Sequence, residues 1–345
     1  MRLRPEPDAL EFAAAVRELL TDACDSDVLR AAWDSTETDP LRRGRVPGLW
    51  KRLADIGVPG LTVPEAYGGA GMDLTAAVPV YVEAGRAALP EPVVETLAGS
   101  ALLAAAGGDV AAEWLPRIAA GDAVVAIGQG NPALIGAAQW ADLLLIDTDD
   151  AIYAVERTAA AIHPEPSLDH GIGIGRVTWQ AAGQSVLPPV NGWDAFDVAC
   201  VAAAAELVGL AQAMLDMAVT YARQREQFGK PIGSFQAVKH QLADVYVANA
   251  FALPVVYRAA WSVAHHLPSA PRDASHAKLA AGQAAERAAR TALQVHAGIG
   301  YTYEHDLHMW MKRTWTLAAA WGDATFHRDR VAAAVLTENP PPRVP

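Results

Sequence analysis

Apolar residues recur at three- and four-residue steps over most of this chain, and the places where that rhythm fails divide it. Residues 9–35 carry a helical pattern through Leu10, Phe12, Val16, Leu19 and Leu20. Residues 47–56 repeat it with Leu49, Leu53 and Ile56. From Gly57 to Gly71 glycines and prolines interrupt the pattern, which predicts a loop. Helix resumes from Leu74 to Ala88, stops at Pro90-Glu-Pro92, and continues through Ala106.

Between residues 121 and 190 the period changes. Val124–Ile127, Leu143–Ile146, Ala151–Val155 and Gly175–Trp179 are short apolar runs bounded by Asp, Gly and Pro, and they predict strands. Gly128-Gln-Gly130 reads as a turn. From Asp194 to Leu336 the pattern is helical again, with breaks near 229–234, 267–272 and 298–306, as in an antiparallel bundle. Small residues from Ala259 to Ala292 let neighbouring helices approach closely. The expected fold is mainly α with a small β-domain. Residues 1–120 form an N-terminal helical domain, 121–192 a reduced middle β-domain, and 193–337 a C-terminal helical bundle, and 338–345 form a disordered Pro-rich tail.

Composition narrows the function. The 345 residues are 52% hydrophobic and 19% charged, which suits a well-buried globular protein. A net charge of −12 argues against nucleic acid or an anionic membrane as partner. No window of about 18 apolar residues runs free of charge, so no membrane span is expected. Cys24 and Cys200 lie far apart without motif spacing, which fits a reducing cytoplasm. The start is followed by no long apolar run, so no signal peptide is expected. His296, His305, His308 and His327 match no metal-ligand spacing, and no metal is expected.

The segment from Arg225 to His240 carries the clearest chemistry. Gly229, Pro231 and Gly233 forbid a continuous helix between two helical patterns. Within this corner the Arg225 fork, Gln227, the Phe228 face and Gln236 suit an anion together with a ring system. On their own such residues are more often a solvated Arg and a core Phe. The whole string, Arg-x-x-Phe-Gly, then Ile-x-x-Phe-Gln, then a helix, resembles the corner of the acyl-CoA dehydrogenase family. The Leu61–Gly71 loop resembles that family's N-terminal signature. Gln294, Gly298 and Gly300 match its Gln-x-x-Gly-Gly-x-Gly element, with Ala297 replacing the first paired glycine. A plain helix C-cap is the alternative reading of that element. The resemblance spans about residues 10–335.

This resemblance implies that Arg225, Gln227, Phe228, Gln236, Gln294 and Gly298 serve the FAD of a neighbouring subunit. It implies α,β-dehydrogenation of an acyl-CoA thioester, a reaction that needs a carboxylate base for the α-proton. The family keeps a Glu base in a Tyr-Glu-Gly-Thr-like turn before the last helix. Here that turn reads Ala320-Trp-Gly-Asp-Ala-Thr-Phe-His327, so Trp321 falls at the base. Asp323 is the nearest carboxylate, and a helix N-cap explains it equally. The family's second base location, a Glu-Arg pair, corresponds to Ala199 and Cys200. Glu206 stands seven residues further on as a conspicuous carboxylate in an apolar run; catalysis, a salt bridge or a surface position would each account for it. The flavin-ring segment of the family is replaced by Gly128–Ile135, and its Trp-Ile-Thr/Ser segment is not visible.

Residues for a neighbour's FAD are kept, while those for the chain's own flavin ring and base are lost. The resemblance therefore implies a hetero-oligomer with a homologous subunit, a heterotetramer of the actinobacterial kind that acts on bulky CoA thioesters such as steroid side chains. Electron-transfer flavoprotein as acceptor is inherited from the same resemblance. The alternatives are a self-sufficient homo-oligomer using Glu206 or Asp323, and a non-enzymatic scaffold subunit.

Overall fold

The computed structural model describes residues 5–35 and 43–336; the C-terminal tail lies outside the described residues. Its helices are α1 (Pro7–Ala23), α2 (Ser26–Trp33), α3 (Leu49–Asp55), α4 (Leu74–Arg86), α5 (Val93–Ala106) and α6 (Gly108–Ala119). The strands that follow are β1 (Val125–Gln129), β2 (Ala133–Ile135), β3 (Leu143–Asp147), β4 (Ile152–Glu156), β5 (Ala160–Pro164), β6 (Gly175–Trp179) and β7 (Ser185–Val186). Then come α7 (Gly192–Gln224), the short strands β8 (Glu226–Gln227) and β9 (Lys230–Pro231), α8 (Gln236–Ala264), α9 (Ala270–His296), α10 (Leu307–Ala319) and α11 (Ala324–Leu336). The mainly helical architecture with a small β region is the one the hydrophobic pattern predicts.

The single helical pattern expected over 9–35 is two helices. Asp25 interrupts it because its carboxylate accepts the Val28 N–H at 2.8 Å and caps α2. Residues group into two compact units: Ala14–Ala77 with Pro90–Ala199, and Met1–Ala13 with Val78–Leu89 and Cys200–Pro345.

In the unit that holds the strands, one sheet has the order β1-β3-β4-β7 and a second the order β2-β6-β5. β1 and β3 are parallel, with Val125 opposite Leu143, and the remaining pairs are antiparallel. The uninterrupted run Leu143-Leu-Leu-Ile146 is explained by burial on both faces, since side chains alternate along a strand. Leu143 and Leu145 join Leu103, Trp114, Leu115 and Ile118 of α5 and α6. Leu144 and Ile146 face Ile135, Val177 and Trp179 of the second sheet.

The expected turn at Gly128-Gln-Gly130 begins later. Gly128 and Gln129 pair with Ile146 and Asp147 as the end of β1, and only Gly130 turns, at φ 78°. A Cβ on Gly128 would lie 2.2 Å from Ile135 Cδ1, so the glycine serves sheet packing. β2 and β5 escape the pattern: one has three residues, and the other is an exposed edge strand ending in proline.

The other unit is helical apart from the short β8–β9 hairpin. α9 packs against α8, α10 and α11. Its buried face is largely alanine, with Ala274, Ala277, Ala281, Ala285 and Ala289 wholly inaccessible, which permits close helix approach. The later part of α4 crosses α7 so tightly that a Cβ on Gly209 would sit 2.0 Å from the Val82 carbonyl oxygen. Trp310 of α10 donates to O of Arg86, the last residue of α4, at 2.9 Å, and Arg313 to Leu89 O just beyond it at 2.7 Å.

By length and composition α7 and α8 are long and apolar enough to cross a membrane, although neither holds the charge-free run that the sequence reading required. The apolar window of α7 is 89% buried inside the protein, which accounts for its composition. That of α8 is only 44% buried. Val245 of α8 is buried, but Val247 is 50% exposed, beside Tyr246 at 60% and Phe251 at 75%. The first half of α8 therefore carries apolar side chains that this chain does not cover.

Candidate cofactor-facing site

The corner after α7 is built by a two-residue hairpin. Arg225 N–H bonds to Tyr221 O at 2.8 Å, extending the last turn of α7, and Ile232 N–H returns to Arg225 O at 2.8 Å. Between them Gln227 pairs with Lys230, leaving Phe228 and Gly229 as the tip, with φ of 54° and 77°. Positive φ at both positions is the geometry that suits the twist of a tight hairpin. Gly229 adopts it freely, whereas Phe228 adopts it at a cost of about 1 kcal/mol. The strained residue is also 91% exposed, its ring lying edge-on to Phe235 at 6.2 Å. A large aromatic held open to solvent in a disfavoured conformation offers a flat apolar face.

Arg225, Gln227 and Gln236 are exposed around it, and Arg225 makes no ion pair among the described residues. Lys230 covers Phe235, with its Nζ 4.4 Å from the ring centroid. Arg223 and Lys239 are exposed nearby in sequence, so cationic groups gather here on a chain of net charge −12.

Gln294 and Gly298 stand at the same end of the bundle. Helix α9 stops at His296, Ala297 takes φ 54°, and a single tight turn covers Ala297–Tyr301. Both Gln294 and Gly298 are exposed, and a Cβ on Gly298 would meet nothing within 4 Å. The two segments are joined by a stack of rings that sequence reading missed. Tyr221 of α7 lies 4.5 Å from His296, and His296 lies 4.4 Å from His305. Arg225 follows Tyr221 by four residues and Gln294 precedes His296 by two. All six residues expected to serve FAD thus lie on the two segments that this stack joins.

These residues suit the nucleotide half of FAD. The guanidinium and exposed amides match phosphate and ribose oxygens, the Phe228 face matches a planar base, and Gly298 leaves backbone open to a ligand. The Gly128–Ile135 segment, which stands where the family's flavin-ring segment would be, is tied into the sheets through Ala133 and Ile135, while Gln129, Asn131, Pro132 and Leu134 are exposed. Asn131 donates to Trp179 O at 2.9 Å, and Gly128 abuts Ile135.

The turn between α10 and α11 is equally committed to structure. Trp321 takes φ 57°, and its carbonyl accepts Nε2–H of His327 at 2.8 Å and the Cys200 thiol at 3.5 Å. Lys278, 2% exposed on α9, donates to Ala318 O at 3.0 Å and Gly322 O at 3.3 Å. Burial pushes its pKa down to about 8, against the opposing pull of Cys200 and Asp323. Burial, then the positive charge of Lys278, pushes His327 down to about 4. Asp323 is exposed, and its carboxylate accepts the Phe326 N–H at 2.8 Å as the N-cap of α11. Glu206 is buried on α7, with Gly85 packed against its backbone carbonyl. The signal for Lys278 in the sequence was a lone lysine amid the alanines of α9.

Comparison with known proteins agrees with this architecture. The pattern of the acyl-CoA dehydrogenase N-terminal domain matches residues 6–122, and that of the C-terminal domain matches residues 193–336. The chain belongs to the acyl-CoA dehydrogenase family, oxidoreductases acting on CH–CH bonds. It is 39% identical to the acyl-CoA dehydrogenase IpdE2 of Mycobacterium tuberculosis, over 79% of this chain and 81% of that protein. With the IpdE2 of Mycolicibacterium smegmatis it shares 32% identity over 93% of this chain and 96% of the relative. Among solved structures it resembles the ChsE4-ChsE5 complex from Mycobacterium tuberculosis, with a TM-score of 0.86 and 25% identity over 99% of this chain and all of the other.

Proposed function

We propose that this chain is one subunit of a hetero-oligomeric acyl-CoA dehydrogenase, in which a homologous partner supplies the glutamate base and the flavin-ring contacts. The observation that carries the reading is the contrast between two places. The Arg225 corner is open, cationic and strained towards solvent, while the turn at Trp321 puts an indole where the base would stand and uses its carboxylate, Asp323, to cap α11. An indole cannot take up the α-proton, and using Asp323 would remove the cap of α11.

In this reading Arg225, Gln227, Phe228, Gln236, Gln294 and Gly298 hold the nucleotide half of FAD belonging to the partner. Bound FAD supplies the hydride acceptor for the β-carbon of the acyl thioester. The chain's own residues orient that cofactor: the Arg225 fork neutralises phosphate, Phe228 packs on a ring, and Gln227, Gln236 and Gln294 offer amide hydrogen bonds. The uncovered Tyr246, Val247 and Phe251 of α8 supply apolar surface for subunit contact. Similarity to a two-component complex of this fold supports the mixed assembly. The substrate class is a bulky acyl-CoA of the steroid side-chain kind, the electron acceptor an electron-transfer flavoprotein, and the compartment the cytoplasm.

The test is the visible spectrum of the chain purified alone and then with its homologous partner. Flavin absorbance only in the joint sample supports the proposal. Flavin and acyl-CoA oxidation by the lone chain would refute it and make Glu206 the first residue to mutate.

A further inference from the structure

The ring stack at the end of the bundle has a shape suited to one task. His296 is 1% exposed and touches three segments. Its Nδ1–H donates to Ala292 O at 2.7 Å, which anchors the ring to its own helix. One face meets Tyr221 at 4.5 Å with planes inclined by 32°, and His305 meets it at 4.4 Å with planes inclined by 61°. Behind it a Cβ on Gly300 would lie 3.1 Å from the His296 Cβ, so the following turn also rests on this residue. His305 is held in turn, its Nδ1 accepting the Leu307 N–H at 3.1 Å.

We infer that His296 is a positioning residue: it sets the spacing between the Arg225 corner and the Gln294–Gly298 segment, and does so as a neutral imidazole. The inference rests on the reading that these two segments face FAD. Removing the ring would leave a void between α7 and the turn after α9, and the two halves of the phosphate-facing surface would lose their common support.

The requirement for neutrality follows from hydrogen bonding. With Nδ1–H donated to Ala292, Nε2 is the bare nitrogen, and it has no partner among the described residues. Protonation would place a buried N–H there without an acceptor, beside a second imidazole. The titratable groups facing His296 are Tyr221 from α7 and His305 from the segment before α10; its own helix presents only the Ala292 carbonyl. Burial first, with a smaller contribution from His305, lowers its pKa. As pH falls, charging of His296 would leave a buried N–H without an acceptor and loosen the nucleotide surface, without touching FAD directly.

The experiment uses the complex of this chain with its partner and measures flavin retained after desalting, from about pH 8 to about pH 5. Wild type is expected to release flavin progressively towards acid. His296→Phe keeps a ring of similar shape that cannot be charged. It should hold flavin within about threefold of wild type at neutral pH and show a flattened acid limb. His296→Ala should weaken retention about tenfold or more across the whole range while the subunits stay associated. His305→Phe separates the neighbouring titration. An acid limb that persists in His296→Phe and disappears in His305→Phe would overturn the role of His296, as would wild-type retention by His296→Ala. A wild-type complex holding no flavin would overturn the FAD reading itself, and this inference with it. Flavin bound with identical pH profiles in all variants would overturn the inference alone.

Discussion

His327 gives a sharp test of the helical unit, because a buried imidazole makes stability depend on pH in a calculable way. The residue is 1% exposed at the start of α11, and its folded pKa is about 4 against 6.5 for the free side chain. At about 1.4 kcal/mol per pH unit, that gap amounts to roughly 3 kcal/mol. Above pH 6.5 the imidazole is neutral folded and unfolded, and the contribution is fully present. As pH falls below 6.5 only the unfolded chain takes the proton, so stability is lost until the folded pKa near 4 is passed. By pH 5 about 2 kcal/mol of it is gone. His327→Gln keeps an amide that can donate to the Trp321 carbonyl but cannot titrate. Paired urea unfolding of both proteins should therefore show the wild-type advantage shrinking by about 2 kcal/mol between pH 7.5 and 5, whatever other groups contribute to each curve. Parallel pH profiles would refute the reasoning, for they would mean that His327 is solvated enough to be charged in place.

Other predictions rest on separate features. Lys278, with a folded pKa of about 8 against 10.5, carries its burial cost in full below pH 8. Relative to Lys278→Met, wild type should gain roughly 3 kcal/mol as pH rises from 8 to 10.5, measured by paired thermal unfolding. Asp323→Ala should cost about 1 kcal/mol through the lost cap. Asp323→Asn should retain both stability and the activity of the complex, and a collapse of turnover in it would return Asp323 to the role of base. Gly209→Ala, whose Cβ would lie 2.0 Å from Val82 O, should destabilise by about 3 kcal/mol or more in chemical denaturation. Arg225→Ala should leave the melting temperature of the chain within about 1 °C and weaken flavin retention by the complex about tenfold or more.

Much of this molecule is legible in its sequence. The breaks at Pro90-Glu-Pro92 and at 229–234, the strands β1, β3, β4 and β6, and the helices around them follow from period and from Gly and Pro, because these act locally on the backbone. What misled was equally local in origin. The pattern over 9–35 hid the stop at Asp25, whose cap breaks the helix without disturbing the apolar rhythm. The glycine at 128 looked like a turn residue, when the pressure on it comes from Ile135 across the sheets.

The candidate site divides in the same way. The six residues expected to serve FAD were named from their string. That the two strings share one end of the bundle depends on Tyr221 of α7 meeting His296 and, through it, His305, a contact between distant stretches of the chain that forms only after the helices pack. Likewise, four histidines without a shared spacing say nothing of a ring stack or of a neutral buried imidazole. The chain's order of residues determined where helices and strands begin, which positions are apolar and which family the chain joins. Tertiary structure decided which glycines are crowded, which carboxylate is a cap, and which apolar residues on α8 remain uncovered. The reason is physical: propensity and periodicity act over a few residues, whereas burial, and with it desolvation and hydrogen-bond satisfaction, depends on groups brought together from hundreds of residues apart.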